Sequence, residues 1–166
     1  MKPMRADVYC AIDTTDMARA EALAAQLSGH VGGLKIGFEF FYAHYLNGYR
    51  ALADKGLPIF LDLKLHDIPN TVAQAVRALL PLEPRLLNVH AAGGAAMMQA
   101  AANAAAEAGD KGLRAPTMLA VTVLTSLSEG DLHAIGVQGT PRDQVLRLAA
   151  LARDNGMDGV VCSGHE

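Results

Sequence analysis

The sequence predicts an α/β protein of the (β/α)8 TIM-barrel class, of which these 166 residues supply about the first six βα units. Three observations lead there. Short apolar runs recur about every 25 to 30 residues, each followed by a helix-patterned segment, and this is the rhythm of βα repeats. The runs are nearly continuous in Val, Ile, Leu and Ala, as parallel strands covered on both faces are. The polar residues gather at or just past the carboxyl ends of successive runs: Asp13, Lys35, Asp62 with Lys64, His90, and Thr125 with Ser126. One rim fed by several strands is the layout of a barrel active site. An open doubly wound sheet shares the rhythm, but it calls for a glycine-rich phosphate loop after the first strand. Here that position reads Thr14-Thr15-Asp16. The expectation is therefore a single, partial barrel domain over residues 1–166.

The first run, Asp7-Val8-Tyr9-Cys10-Ala11-Ile12-Asp13, reads as a buried strand, and the Thr/Asp cluster after it as a helix N-cap. Met17 to Leu27 is helical and stops at Ser28-Gly29. Val31 to Gly37 is the second strand, and Phe38 to Asp54 the second helix, ended by Lys55-Gly56. Ile59 to Leu65 is the third strand. Pro69 fits the first turn of the next helix, where a missing N–H costs nothing; Pro81 and Pro84 end it near Leu80. Arg85 to Ala91 is the fourth strand, Gly93-Gly94 a tight turn, and Ala95 to Ala108 an Ala-rich helix closed by Gly109, with Met97 and Met98 read as core. Pro116 to Leu124 is the fifth strand. Ser128 to Ile135 is a short helix, Asp143 to Asp154 a longer one with Leu146, Leu148 and Leu151 on its apolar side, and Gly159 to Ser163 the sixth strand.

Half of the residues are apolar, aromatics are scarce and Trp is absent, a profile of helices packed closely on a sheet. A net charge of −3 gives no electrostatic case for nucleic acid or an anionic membrane. No apolar run has transmembrane length, and the amino terminus lacks a signal-peptide core, so the expected compartment is the cytoplasm. Cys10 and Cys162 fall in apolar runs and read as buried, reduced thiols. There is no Cys-x-x-Cys, no His-Glu-x-x-His and no acidic calcium loop, so neither a metal site nor a cofactor is expected.

The charge is concentrated in Ile59-Phe60-Leu61-Asp62-Leu63-Lys64-Leu65-His66-Asp67-Ile68-Pro69-Asn70-Thr71. Side chains at i and i+2 of a strand share a face, so Asp62 and Lys64 project together. A buried ion pair closing a strand end is the plainer reading, but such pairs are poor stabilisers. An active site is the better one. His90 is as readily a hydrogen-bonded core histidine as a substrate contact, Asp13 alone is as readily a helix cap as a site residue, and His66 and His165 carry no clear signal.

The stretch from Phe60 to Thr71 resembles the signature of the orotidine 5′-phosphate decarboxylase family almost position for position. Ala11-Ile12-Asp13, Gly33-Leu34-Lys35-Ile36-Gly37, Val89-His90-Ala91, Val121-Thr122-Val123-Leu124-Thr125-Ser126 and Gly159-Val160-Val161-Cys162-Ser163 support it in the family's order. The resemblance implies cofactor-free decarboxylation of orotidine 5′-phosphate (OMP) to UMP and CO2, in pyrimidine biosynthesis. It makes Lys35, Asp62, Lys64 and Asp67 an alternating charged tetrad, with Lys64 donating the proton to the pyrimidine C6. Asp67 and Thr71 would reach into the neighbouring subunit's site of a homodimer. Asp13 and Lys35 would contact the ribose hydroxyls, and Thr125 with Ser126 the pyrimidine edge. The family's last two βα units, which grip the substrate phosphate, would lie beyond Glu166. The nearest rival is a sugar-phosphate decarboxylase or hexulose-phosphate synthase on the same barrel. Those enzymes use magnesium, and Ile68-Pro69-Asn70-Thr71 speaks against them. A rival of another class is a non-catalytic barrel fragment.

Overall fold

A computed structural model describes residues 8–164; Asp7 of the expected first strand and His165 lie outside the described residues. Six strands alternate with helices. They are β1 (Tyr9–Ala11), β2 (Gly33–Ile36), β3 (Ile59–Leu65), β4 (Leu86–His90), β5 (Thr117–Val121) and β6 (Gly159–Val161). The helices are α1 (Met17–Leu27), α2 (Phe38–Ala53), α3 (Pro69–Leu79), α4 (Ala95–Ala106), α5 (Glu129–Ala134) and α6 (Pro141–Asp154). In the sheet the strands follow one another in chain order, β1 through β6. A doubly wound sheet reverses its strand order at a switch point; chain order has none, as βα units stepping round a barrel require.

By its contacts the chain divides into two compact units, one running up to Leu63 together with Pro84–Leu86, the other Lys64–Glu83 together with the residues from Leu87 onward. In the first unit β1 pairs with β2 and β2 with β3, all parallel, in a register that sets Ala11 against Lys35 and Lys35 against Phe60. Gly33 opens β2 because a Cβ there would overlap the Pro58 carbonyl oxygen and the Tyr9 ring. Asp16 caps α1 by accepting from the Arg19 N–H at 3.1 Å. Ile12, Leu34, Ile36, Phe40, Leu52 and Leu61 are fully buried and form this unit's core. Helix α2 is broken at Tyr45, whose φ is 51°.

In the second unit α3 packs on α4. The Arg77 guanidinium grips Glu107 across them: Nε donates to both carboxylate oxygens at 3.0 and 2.9 Å, and Nη2 to Oε1 at 2.6 Å. Pro69 stands in the first turn of α3, as expected. Pro81 does not simply end that helix. It sits inside a 3-10 turn over Leu80–Leu82, which follows α3 directly. Helices α5 and α6 each begin with a capping box, Ser128 with Asp131 and Thr140 with Asp143. β5 and β6 are parallel, with Leu119 opposite Gly159. Met97 and Met98 are fully buried, as core residues should be.

Two expectations need correcting. Leu146 does not join the apolar side of α6; it is 57% exposed, while Val145, Leu148 and Ala152 are buried. The buried stripe therefore follows the helical period from Val145 rather than the leucines. Cys162 is exposed rather than buried, because it lies one residue past the end of β6, and Cys10 is half-buried; both are free thiols. Among the described residues no helix is long and apolar enough to cross a membrane.

Candidate active site

The first unit assembles an acid–base–acid cluster at the carboxyl ends of its strands. Lys35 on β2 sets its Nζ 3.3 Å from Asp62 Oδ2 and 3.8 Å from Asp13 Oδ1. The register explains the approach, since pairing β1 to β2 to β3 carries Asp13, Lys35 and Asp62 to one end of adjacent strands. The two ion pairs differ in kind. Asp62 is only 6% exposed, so desolvation makes a cationic partner necessary for its charge. Asp13 is exposed, and its longer contact is a screened surface pair of small energy.

The second unit begins at Lys64, two residues after Asp62 on β3. Lys64 is half-buried, and its backbone φ of 45° lies in the left-handed region. Its N–H donates to Asn88 Oδ1 on β4 at 2.7 Å, and Asn88 is fully buried. Two residues further along each strand, the His66 and His90 rings meet with centroids 5.4 Å apart. Gly93 is close by, since a Cβ there would lie 3.2 Å from His66 Cδ2.

His66 and His90 form the polar edge of a pocket of about 230 Å³, whose wall is mostly apolar and includes Thr122, Leu124, Leu132, Val137 and Leu148. Thr122 is buried and donates its hydroxyl to the Val161 carbonyl at 2.9 Å, which ties the ends of β5 and β6 together. Thr125 and Ser126 lie just past β5 and are exposed; the pocket is lined by Leu124 and Leu127 on either side of them.

Asp67 and Thr71 are exposed at the start of α3, together with Ile68, which is 67% exposed. Asp67 Oδ1 accepts from the Ile68 N–H at 2.6 Å. Of the residues expected from sequence, the structure thus joins Asp13, Lys35 and Asp62 by direct contact. Lys64 follows Asp62 on the same strand, and Asp67 and Thr71 lie on an exposed turn of the second unit. Sequence reasoning passed over Asn88, His66 and Thr122. Asn88 carried a readable signal, a lone carboxamide in the apolar run Leu86-Leu87-Asn88-Val89. Among the described residues no group of three or more His, Cys, Asp or Glu side chains is arranged to hold a metal ion.

Comparison with known proteins places this geometry. The sequence model of the orotidine 5′-phosphate decarboxylase / HUMPS family matches residues 7–166. The chain is 57% identical over 163 residues to an orotidine 5′-phosphate decarboxylase of Sphingopyxis alaskensis, covering 98% of this chain and 70% of that one. To the enzyme of that name from Rhodospirillum rubrum it is 58% identical over 161 residues, covering 96% and 65%. The chain thus spans about two thirds of the length of these relatives. The crystal structure of orotidine 5′-phosphate decarboxylase from Lactobacillus acidophilus superposes with a TM-score of 0.83 at 36% identity, covering 96% of this chain and 72% of that one. The fold class is that of the (β/α)8 barrel, with six of its strands present here.

Proposed function

The chain belongs to the orotidine 5′-phosphate decarboxylase / HUMPS family, and from that premise we propose that it carries the charged centre of a cofactor-free decarboxylase converting OMP to UMP and CO2. The observation that carries the proposal is the buried Asp62 paired to Lys35 at 3.3 Å, on the strand that continues to Lys64. The plainer reading, a pair that merely closes a strand, leaves unexplained why a second lysine follows at once with a strained backbone.

The chemistry asks for such a centre. When the bond from C6 to the carboxylate breaks, the electron pair stays on C6, and no carbonyl is placed to accept it as an enolate would. What stabilises that charge is a fixed cation aimed at the carbon where it develops. In this reading Lys64 supplies the cation and then its proton, which closes the C6–H bond as CO2 leaves. Two carboxylates attract that cation, Asp62 of the same chain and the neighbouring subunit's Asp67. Asp62 also faces the substrate carboxylate, a repulsion relieved on loss of CO2, and this is secondary to the stabilisation by Lys64. Lys35 and Asp13 hold the ribose hydroxyls, and Thr125 and Ser126 meet the pyrimidine edge.

The functional unit is a homodimer in which Asp67 and Thr71 complete the neighbouring site. What supports this is their exposure on the turn that opens α3, where both side chains are open to a second subunit. The reaction belongs to UMP biosynthesis, in the cytoplasm.

The direct test is to incubate the protein with OMP in the presence of a chelator and follow the ultraviolet absorbance of the substrate. Loss of that absorbance with release of UMP is the expected result. A cooperatively folded protein that leaves OMP untouched contradicts the proposal.

A further inference from the structure

Among the described residues only three other than glycine have a positive φ: Tyr45, Lys64 and Glu83. Tyr45 breaks a helix and Glu83 ends a 3-10 turn, places where chains commonly deviate. Lys64 is the one inside a strand. A Cβ-bearing residue in that region is strained, and it stays there only when its surroundings fix it. The surroundings here are specific. The Lys64 N–H goes to the side-chain oxygen of Asn88, at 2.7 Å, within the second unit.

Asn88 is fully buried, on a strand whose neighbours Leu87 and Val89 are fully buried as well. A carboxamide is costly in such a place unless its polar atoms are bonded, and an aliphatic residue would fill the volume more cheaply. One step further along the same two strands, the His66–His90 ring contact fixes the chain again. Lys64 is therefore held from both sides, by Asn88 at its own amide and by the imidazole pair two residues on.

We propose that Asn88 is a positioning residue for Lys64, its buried carboxamide capturing the Lys64 backbone N–H and fixing the left-handed turn from which the ammonium group is presented. The inference rests on the reading of Lys64 as proton donor, and it goes beyond that reading by naming what sets its direction. A misplacement of about 1 Å at a reacting group costs about a hundredfold in rate, so the loss of this bond falls on turnover rather than on substrate affinity.

Asn88→Leu keeps the volume and removes the acceptor. Expected for Asn88→Leu is a fall in kcat of about tenfold or more with KM changed by less than about threefold. The activity-independent readout is acylation of lysine amines by a small reagent, followed by mass spectrometry. Asn88→Leu should change the rate at Lys64 by about threefold or more and leave Lys55 and Lys111 unchanged. Circular dichroism establishes folding, and Asn88→Ala takes the place of the leucine variant if that one does not fold. A folded acceptor-less variant that retains kcat within about twofold, or an unaltered Lys64 labelling rate, overturns the inference. If the parent protein fails to turn over OMP, it is the proposed function that falls; the labelling of Lys64 still decides the link to Asn88.

Discussion

Lys64 combines two demands that conflict in an ordinary strand, a long cationic side chain and a backbone with a φ of 45°. Glycine meets the second without strain, and alanine does not. Both Lys64→Gly and Lys64→Ala remove the ammonium, so their difference isolates the backbone. Lys64→Gly is expected to be the more stable by about 1 kcal/mol, read from urea unfolding midpoints; equal midpoints would mean that the backbone is unstrained. The direct contacts of Lys35 come from the strand register; that Asp13, Lys35 and Asp62 share one rim was legible in the sequence, where they recur at the carboxyl ends of successive apolar runs. The conformation of Lys64 was not. It depends on a partner 24 residues away in the chain, and period-two reasoning treats a strand as uniformly extended. The exposure of Cys162 was missed for a related reason, since an apolar run does not reveal at which residue the pairing stops.

At the scale of elements, the helix ends show how much local chemistry decides. In α6 the Thr140 hydroxyl accepts from the Asp143 N–H at 3.2 Å, and the Asp143 carboxylate accepts from the Thr140 N–H at 3.0 Å. Thr140→Ala breaks this reciprocal cap and should cost about 1 kcal/mol, measured as a lower thermal or urea midpoint. Three carboxyls of the second unit are held below their ordinary range. The guanidinium of Arg77 bonds Glu107, the Ser128 hydroxyl and N–H bond Asp131, and the Thr140 N–H and hydroxyl bond Asp143. A carboxyl with a lowered folded pKa stabilises the fold above its unfolded value, and that contribution is lost as pH falls through the folded value. Stability should therefore drop between about pH 5 and about pH 3. Arg77→Met should shallow that drop, because Glu107 then titrates nearer its ordinary value; an unchanged acid limb would show that the pair across α3 and α4 has no part in it. Strand and helix identities followed from periodicity and turn residues, as at Pro69 and at the Gly93-Gly94 turn. The break in α2 at Tyr45 was not read, although the turn-favouring pair Asn47-Gly48 stands just after it.

For the molecule as a whole, the barrel class was legible because polar residues recur at the same end of successive apolar runs, and strand order along the sheet agrees with it. The exposure of Asp67 and Thr71, beside Ile68 on the turn that opens α3, is not explained by the chain alone. The proposed dimer with shared sites accounts for their exposure and for the charge of Asp67. Mixing Asp67→Ala with Lys64→Ala subunits should then restore decarboxylation at one hybrid site in each heterodimer, to about a quarter of the parent activity per subunit under random exchange. Subunits that exchange yet regain no activity would contradict a shared site.

If an ammonium at position 64 carries the chemistry, it is tested by turnover of OMP by Lys64→Ala beside the unsubstituted protein, under identical conditions and with matched circular dichroism. Expected is a fall of about a thousandfold or more in kcat in a folded protein; turnover close to that of the parent would rule the ammonium out.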